Sequence, residues 1–125
     1  MRLLVASEDA AERERCTSAL ALLEDVDALA VESAAAAREQ VRQGAVDILV
    51  VDGDLRPKGG YSLLYELSAE AELAGSRPPR SIVLVERSED KWLAEWARAD
   101  ATVTKPVDPF ALTKAVRGLM ETADS

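Results

Sequence analysis

Two short runs of apolar, largely β-branched residues constrain what this 125-residue chain can fold into more than any other feature of its sequence. One run reads VDILVV at positions 46–51, and the other reads IVLV at positions 82–85. Neither run alternates apolar with polar residues along its whole length. Strands have this continuous pattern when helices cover both faces of a parallel sheet. The two runs therefore predict central strands of an α/β fold.

The rest of the chain extends this pattern into five strand–helix units. Apolar residues recur at helical spacing between the strands, and Gly44 is a natural stop for the second helix. Asp108 followed by Pro109 is a strong start signal for the last helix. Strict alternation of strands and helices predicts a doubly wound parallel sheet with right-handed crossovers. The predicted strands are 3–6, 26–31, 46–51, 82–85 and 101–104, and the predicted helices are 10–24, 34–43, 61–73, 89–98 and 109–120.

The composition excludes several classes of function. The chain has no histidine and one cysteine, which excludes His-based catalysis, a Cys/His zinc site and an internal disulfide. We expect that cysteine, Cys16, to lie in the core on an apolar helix face. A net charge of −8 argues against direct contact with nucleic acid. No apolar run reaches the roughly 18 residues of a membrane span, and no signal-peptide pattern is present. We therefore expect a single cytoplasmic domain over residues 1–125, with no membrane partner.

Charged residues collect where strands of the predicted sheet end. Ser7 and Glu8 follow the first strand, Asp52 and Asp54 follow the third, and Lys105 follows the fifth. Sites in open α/β sheets form outside these carboxyl ends, so we expect the side chains to meet. Carboxylates at close range repel one another unless a cation lies between them, and Mg²⁺ prefers such oxygen ligands. A carboxylate beside that ion can attack phosphorus, and a lysine can pair with the phosphate gained.

Each acidic residue has a simpler explanation when it is taken alone, because Asp and Glu often follow strands as helix caps or solvated loop residues. The joint placement of these acids with Lys105 and Pro106 is what favours a site. Asp52, Gly53 and Asp54 also spell the DxD pattern of some phosphohydrolases, but 125 residues leave no room for a cap domain. We therefore do not expect an enzyme.

These residues resemble the receiver domain of two-component response regulators, and the resemblance runs over essentially the whole chain. The segment VDILVVD, which ends at Asp52, is similar to the segment carrying the phosphoacceptor of that family. Gly60 stands eight residues later, where the family places a glycine that opens the third helix. Lys105 and Pro106 resemble the family's lysine–proline pair, whose peptide bond is typically cis. The resemblance implies a flavodoxin-like fold with five helices and strand order 2-1-3-4-5.

The resemblance also implies a role for each candidate residue. Asp52 would accept a phosphoryl group from a histidine kinase or a phosphotransfer protein in an Mg²⁺-dependent reaction. Glu8, Asp52 and the backbone carbonyl of Asp54 would hold the ion, and Lys105 would pair with the phosphate. The domain would then signal by docking to a downstream protein target, and a homodimer is a further candidate.

The chain departs from the family pattern at several positions. Ser7 and Glu8 stand where the family usually has two acids, so one acid remains. Val85 or Glu86 stands where the family has a Ser or Thr that follows the phosphoryl group, and Thr102 stands where it often has an aromatic ring. These atypical switch positions leave an alternative open, in which the chain is a degenerate pseudo-receiver that binds proteins independently of phosphorylation.

The two tryptophans of the fourth predicted helix are expected to differ in exposure. At about 100° per residue, Trp92, Leu93, Trp96 and Ala97 form one apolar arc. Leu93 and Trp96 lie near its centre and are expected to face the sheet. Trp92 lies at its edge, so we expect it to be partly exposed and regard it as a candidate interface residue.

Overall fold

A computed structural model describes residues 1–87 and 90–123 of the chain. Five strands alternate with five helices in this described part, as the sequence pattern predicts. In chain order the elements are β1 (Arg2–Ala6), α1 (Ala10–Leu20), β2 (Asp27–Val31), α2 (Ala34–Arg42), β3 (Ile48–Asp52), α3 (Gly60–Leu73), β4 (Arg80–Val85), α4 (Lys91–Trp96), β5 (Ala101–Thr104) and α5 (Pro109–Ala123).

The strands form a single parallel sheet in the order β2-β1-β3-β4-β5. This order confirms the predicted doubly wound, flavodoxin-like fold. The crossover direction reverses between β1 and β3, and for that reason α1 and α5 cover one face while α2, α3 and α4 cover the other. No helix in the described residues is long and apolar enough to cross a bilayer.

Two hydrophobic cores fill the spaces between the sheet and its two helix layers. Successive residues of each central strand point to opposite faces, so a strand such as β3 sends alternate side chains into different cores. Both sets are apolar because both are buried, which explains the continuous apolar runs. Cys16 is fully buried in the α1–α5 core, as predicted, and burial raises its pKa to about 12.

Several element boundaries differ from the sequence-based ones. Helix α1 ends at Leu20 rather than at residue 24, and β3 begins at Ile48 rather than at residue 46. Strand β4 starts earlier than predicted because Arg80 and Ser81 pair with Ile48 and Leu49. Hydrophobicity cannot reveal such residues, since it is main-chain pairing that makes them part of the strand. The cap predicted at Asp108 is present, because its carboxylate accepts a hydrogen bond from the Ala111 N–H at 3.1 Å.

The prediction for Trp96 is wrong. Trp96 is 53% exposed, whereas Ala94 and Ala97 are the buried residues of this region. The predicted helix start at residue 89 lies outside the described residues; α4 ends at Trp96, and Ala94 within it and Ala97 directly after it belong to the core. The Trp96 ring instead stacks on Tyr65 of α3, with ring centroids 4.9 Å apart and planes within 5°. Trp92 is 64% exposed, which agrees with its predicted position at the edge of the apolar arc.

We predict that Gly60→Ala destabilises the fold, because Gly60 allows α3 to start directly beside the end of β3. A Cβ built on Gly60 would lie 2.3 Å from the Asp52 carbonyl oxygen, which is main chain and cannot swing away. The free energy of unfolding in urea should fall by about 1–3 kcal/mol, as for other overpacked positions.

Gly118→Ala is the matched control within α5. Among the described residues, no atom beyond the neighbouring residues and backbone of α5 itself lies within 4 Å of a Cβ built there, so that change should stabilise the protein by about 0.5–1 kcal/mol through helix propensity. Equal effects of the two substitutions would contradict the close approach at Gly60.

Candidate functional site

The predicted site lies at the edge of the sheet where the strands end. Ala6 pairs with Val51 in the parallel ladder, so the next residues, Ser7 and Asp52, are neighbours across β1 and β3. Lys105 directly follows β5, and its N–H donates to the Val85 carbonyl at 2.7 Å. The sheet register therefore brings these groups to one edge, even though they are far apart in the chain.

Asp52 is the buried acid at the centre of this edge, with 4% of its surface exposed. Its Oδ1 accepts hydrogen bonds from the Lys105 ammonium at 2.7 Å and from the Asp54 backbone N–H at 3.0 Å. Its Oδ2 accepts a hydrogen bond from the hydroxyl of Ser7, which is fully buried, at 2.9 Å. One cation and two neutral donors thus stabilise the buried carboxylate.

Lys105 connects Asp52, the last residue of β3, to Asp54 in the loop that follows. Its ammonium also donates to Asp54 Oδ2 at 2.8 Å, so it lies between two carboxylates. Burial lowers the pKa of Lys105, but the hydrogen bonds and charges of Asp52 and Asp54 outweigh burial and raise the pKa above its ordinary value. Lys105 is therefore charged at neutral pH. Because its pKa is raised in the folded state, its ion pairs stabilise the fold at neutral pH, and this stabilisation is lost only as the pH becomes strongly alkaline.

Glu12 holds the turn that follows Lys105, a role that the sequence does not indicate. Glu12 is only 5% exposed, although it lies in the first turn of α1. Its Oε2 accepts from the Val107 N–H at 3.2 Å, and its Oε1 pairs with Arg15 at 3.0 Å. The Lys105–Pro106 peptide bond just before this contact is cis.

Glu8, which the sequence predicts to be a metal ligand, forms an ion pair with Arg56 in this structure. Its Oε1 accepts from the Arg56 backbone N–H at 2.7 Å, and its Oε2 contacts the Arg56 Nε at 2.9 Å and Nη2 at 2.7 Å. The Arg56 hydrogen bonds lower the Glu8 pKa, so the carboxylate is ionised. The structure therefore brings together Asp52, Asp54, Lys105 and Ser7, but pairs Glu8 with Arg56.

The donor types at this edge fit Mg²⁺, although their present pairing does not leave them free. Magnesium is usually bound by one or two carboxylates and completed by water and phosphate oxygens. Asp52 and Glu8 could supply two carboxylates, and the Asp54 carbonyl could supply a third oxygen. In residues 1–87 and 90–123, no three acidic or Cys side chains form a ready-made metal cluster. A metal ion would therefore have to compete with Arg56 for Glu8.

The atypical switch positions Val85, Glu86 and Thr102 carry neither the hydroxyl nor the aromatic ring that the resemblance implies at their places. Val85 ends β4 and is fully buried, and Glu86 after it is exposed. Neither side chain has a hydroxyl that could hydrogen-bond to a phosphoryl group. Thr102 lies within β5, in register with Val83, and has no ring that could rotate inward.

Tyr61, the second residue of α3, is an aromatic residue beside the site. A Cβ built on Gly53 would lie 2.8 Å from the Tyr61 Oη, so the ring occupies space that any other residue at position 53 would take. Burial and the charges of Asp90 and Asp54 raise the Tyr61 pKa. The sequence signal for this contact is Gly53 directly after Asp52, because a glycine has no side chain in the space that the Tyr61 ring occupies.

The chain is similar in sequence to a known bacterial protein. No protein-family model matches the chain. The chain is 35% identical over 125 residues to a response regulatory protein of Mycobacterium tuberculosis that is described as uncharacterized, covering 96% of this chain and 91% of that protein. The same match is found in a second strain of that organism.

Solved structures share the fold at lower sequence identity. A CheY-like response regulator receiver domain protein from Methanospirillum hungatei has a TM-score of 0.79 and 20% identity, covering 98% of this chain and 95% of that one. The receiver domain of a Saccharomyces cerevisiae response regulator, solved with a histidine phosphotransfer signaling protein, has a TM-score of 0.83 and 17% identity. That match covers 91% of this chain and 84% of the other.

We predict that Lys105→Met destabilises the protein at neutral pH by about 3 kcal/mol, because it leaves the buried Asp52 carboxylate without its cation.

Asp52→Asn is the control, and the double variant should recover most of the stability lost in Lys105→Met alone. Urea unfolding of all four proteins gives the coupling energy between the two residues. A coupling energy near zero would contradict the importance of this ion pair.

Proposed function

The chain belongs to the response regulator receiver family, and on that premise we propose that Asp52 accepts a phosphoryl group and that the domain signals through protein–protein contacts. The observation that carries the proposal is the buried Asp52 carboxylate held by Lys105 at the carboxyl edge of the sheet. A carboxylate in this position is a nucleophile with a cation beside it for the incoming charge.

The chemistry is a displacement at phosphorus. A carboxylate oxygen of Asp52 forms the new bond, and the bond between phosphorus and the donor's leaving group breaks as that group takes the electron pair. Lys105 pairs with the phosphoryl oxygens, since an ammonium stabilises the added negative charge. A magnesium ion bound through Asp52, Glu8 and the Asp54 carbonyl would supply further positive charge at the same oxygens.

The phosphoryl donor is a histidine kinase or a phosphotransfer protein. The receiver domain from yeast that shares this fold was solved with a histidine phosphotransfer signaling protein, which supports a partner of this kind. Transfer of this type requires the Asp52 edge of the sheet to face the donor histidine, and this chain has no histidine of its own.

The output is contact with a protein, and Trp92 is the best-placed residue for it. Its ring is largely exposed on α4, and the half-exposed Trp96, which stacks on Tyr65, follows four residues later on the same helix. Exposed tryptophans are favoured anchors in interfaces because they bury a large area with few rotatable bonds. A second copy of the chain is the first partner to test.

The alternative function is a pseudo-receiver that binds its partner without phosphorylation. It is favoured by Ser7 at an acid position, by the pairing of Glu8 with Arg56 and by the switch positions Val85, Glu86 and Thr102. A phosphoryl group has few contacts there with which to favour one conformation over another. Under this alternative, Asp52 and Lys105 form a structural ion pair.

We predict that incubation with a small-molecule phosphodonor and Mg²⁺ adds one phosphoryl group to the protein, as measured by intact mass. Asp52→Asn should abolish the addition, because it removes the nucleophilic oxygen. Asp54→Asn is the matched control at the same edge and should still be modified. An unmodified wild-type protein at high donor concentration would reject this function in favour of the pseudo-receiver.

We also predict that Trp92→Ala weakens self-association at least severalfold while leaving stability nearly unchanged, as measured by sedimentation and urea unfolding. Leu22→Ala is the control, because Leu22 is similarly exposed beyond the end of α1. Trp96→Ala should cost about 0.5–1.5 kcal/mol of stability through the lost ring stacking. If Trp92→Ala and Leu22→Ala associate equally, Trp92 is not an interface residue.

A further inference from the structure

The contact between Glu8 and Arg56 joins two loops that border the site. One carboxylate accepts hydrogen bonds from both the main chain and the guanidinium of Arg56, with three contacts between 2.7 and 2.9 Å. Glu8 thereby connects the loop after β1 to the loop after β3. The second of these loops begins at Asp52, whose carbonyl accepts from the Leu55 N–H at 3.1 Å. This Glu8–Arg56 contact, called the Glu8–Arg56 clamp below, therefore lies one short turn away from Asp52, the proposed phosphoacceptor.

Arg56 uses both oxygens of the Glu8 carboxylate. Oε1 accepts the backbone N–H, and Oε2 accepts from the guanidinium Nε and forms an ion pair with Nη2 at 2.7 Å. An ionised carboxylate has about four acceptor positions in all, so little capacity remains for another ligand. A guanidinium and a divalent cation on the same oxygens would also repel each other. Occupation of Glu8 by Arg56 and by a metal ion is therefore mutually exclusive or nearly so.

We propose that Arg56 is a built-in competitor of the divalent cation for Glu8, so that metal binding opens the Glu8–Arg56 clamp and releases the loop after β3. The proposal rests on the proposed function only in that the site takes a divalent cation, and it does not require phosphorylation. In the absence of metal, Arg56 neutralises the charge of Glu8, and the hydrogen bond from its N–H holds the loop after β3 against the loop after β1.

The exposure of the pair sets the size of the effect. The side chain of Arg56 is 83% exposed and that of Glu8 is 32% exposed, so water and salt screen their attraction. Exposed ion pairs change an equilibrium by about two- to fivefold when their geometry is good. The clamp should therefore lower the affinity for metal by such a factor rather than block binding. The backbone hydrogen bond to Oε1 couples this local exchange to the position of the loop.

The test is a titration of the full chain with magnesium chloride alone, followed by two-dimensional ¹H–¹⁵N NMR. We expect Arg56→Gln to bind Mg²⁺ about two- to fivefold more tightly than the wild type. In the wild type, the Arg56 amide resonance should shift on saturation, because its N–H loses Glu8 as acceptor. Arg42→Gln removes the same charge at the end of α2 and is the control for net charge, with an affinity equal to that of the wild type.

Two further variants separate competition from a general effect of charge. Glu8→Gln should weaken Mg²⁺ binding, and adding Arg56→Gln to it should cause no further change. Equal or weaker binding by Arg56→Gln than by the wild type would overturn the proposal, as would an unmoved Arg56 amide at saturation. If Mg²⁺ binds with no effect of Arg56 while Asp52 is still phosphorylated, only this inference fails. If no variant binds Mg²⁺, the inference and the Mg²⁺-dependent function fail together.

Discussion

Burial of a parallel sheet on both faces is the constraint on which the rest of this structure depends. The central strands have no solvated face, so their side chains are apolar and their main-chain groups pair within the sheet. Polar and charged residues are consequently displaced to the strand ends. Because parallel strands all end in the same direction, those residues collect at one edge, and the site follows from the architecture.

Asp52, Asp54 and Glu8 all have a cationic partner within the described part of the chain, and the first two share Lys105. Asp52 receives a cation from Lys105 and neutral donors from Ser7 and the Asp54 N–H. Ser7 contributes a hydrogen bond where an acid would have added repulsion, which lowers the need for a metal ion. Glu8 is neutralised separately by Arg56. The described site thus contains two ion-pair systems; the Asp52–Lys105 pair is largely buried and the Glu8–Arg56 pair is largely exposed, so salt should weaken the second pair more.

The presence of two ion-pair systems beside Asp52 affects how the domain could transmit a signal. A ligand shifts a conformational equilibrium only through contacts that differ between the two states. Lys105 and the Glu8–Arg56 clamp can provide such contacts near Asp52, whereas Val85, Glu86 and Thr102 supply none of the usual ones. Any response should therefore be concentrated in the loops around the site, and the aromatic surface of α3 and α4 would then serve as a constant docking face.

The sequence by itself determined the fold class, the strand order implied by family resemblance and the meeting of Asp52 with Lys105. Apolar runs and helix signals report local burial, and the ends of parallel strands meet by geometry, so neither inference needs side-chain detail. Only the tertiary structure decided that Glu12 is buried beneath Val107 and that Trp96 stacks on Tyr65 instead of entering the core. It alone showed that Glu8 pairs with Arg56, 48 positions away. The physical reason is that the direction of a side chain depends on neighbours contributed by distant segments, and no local pattern contains them.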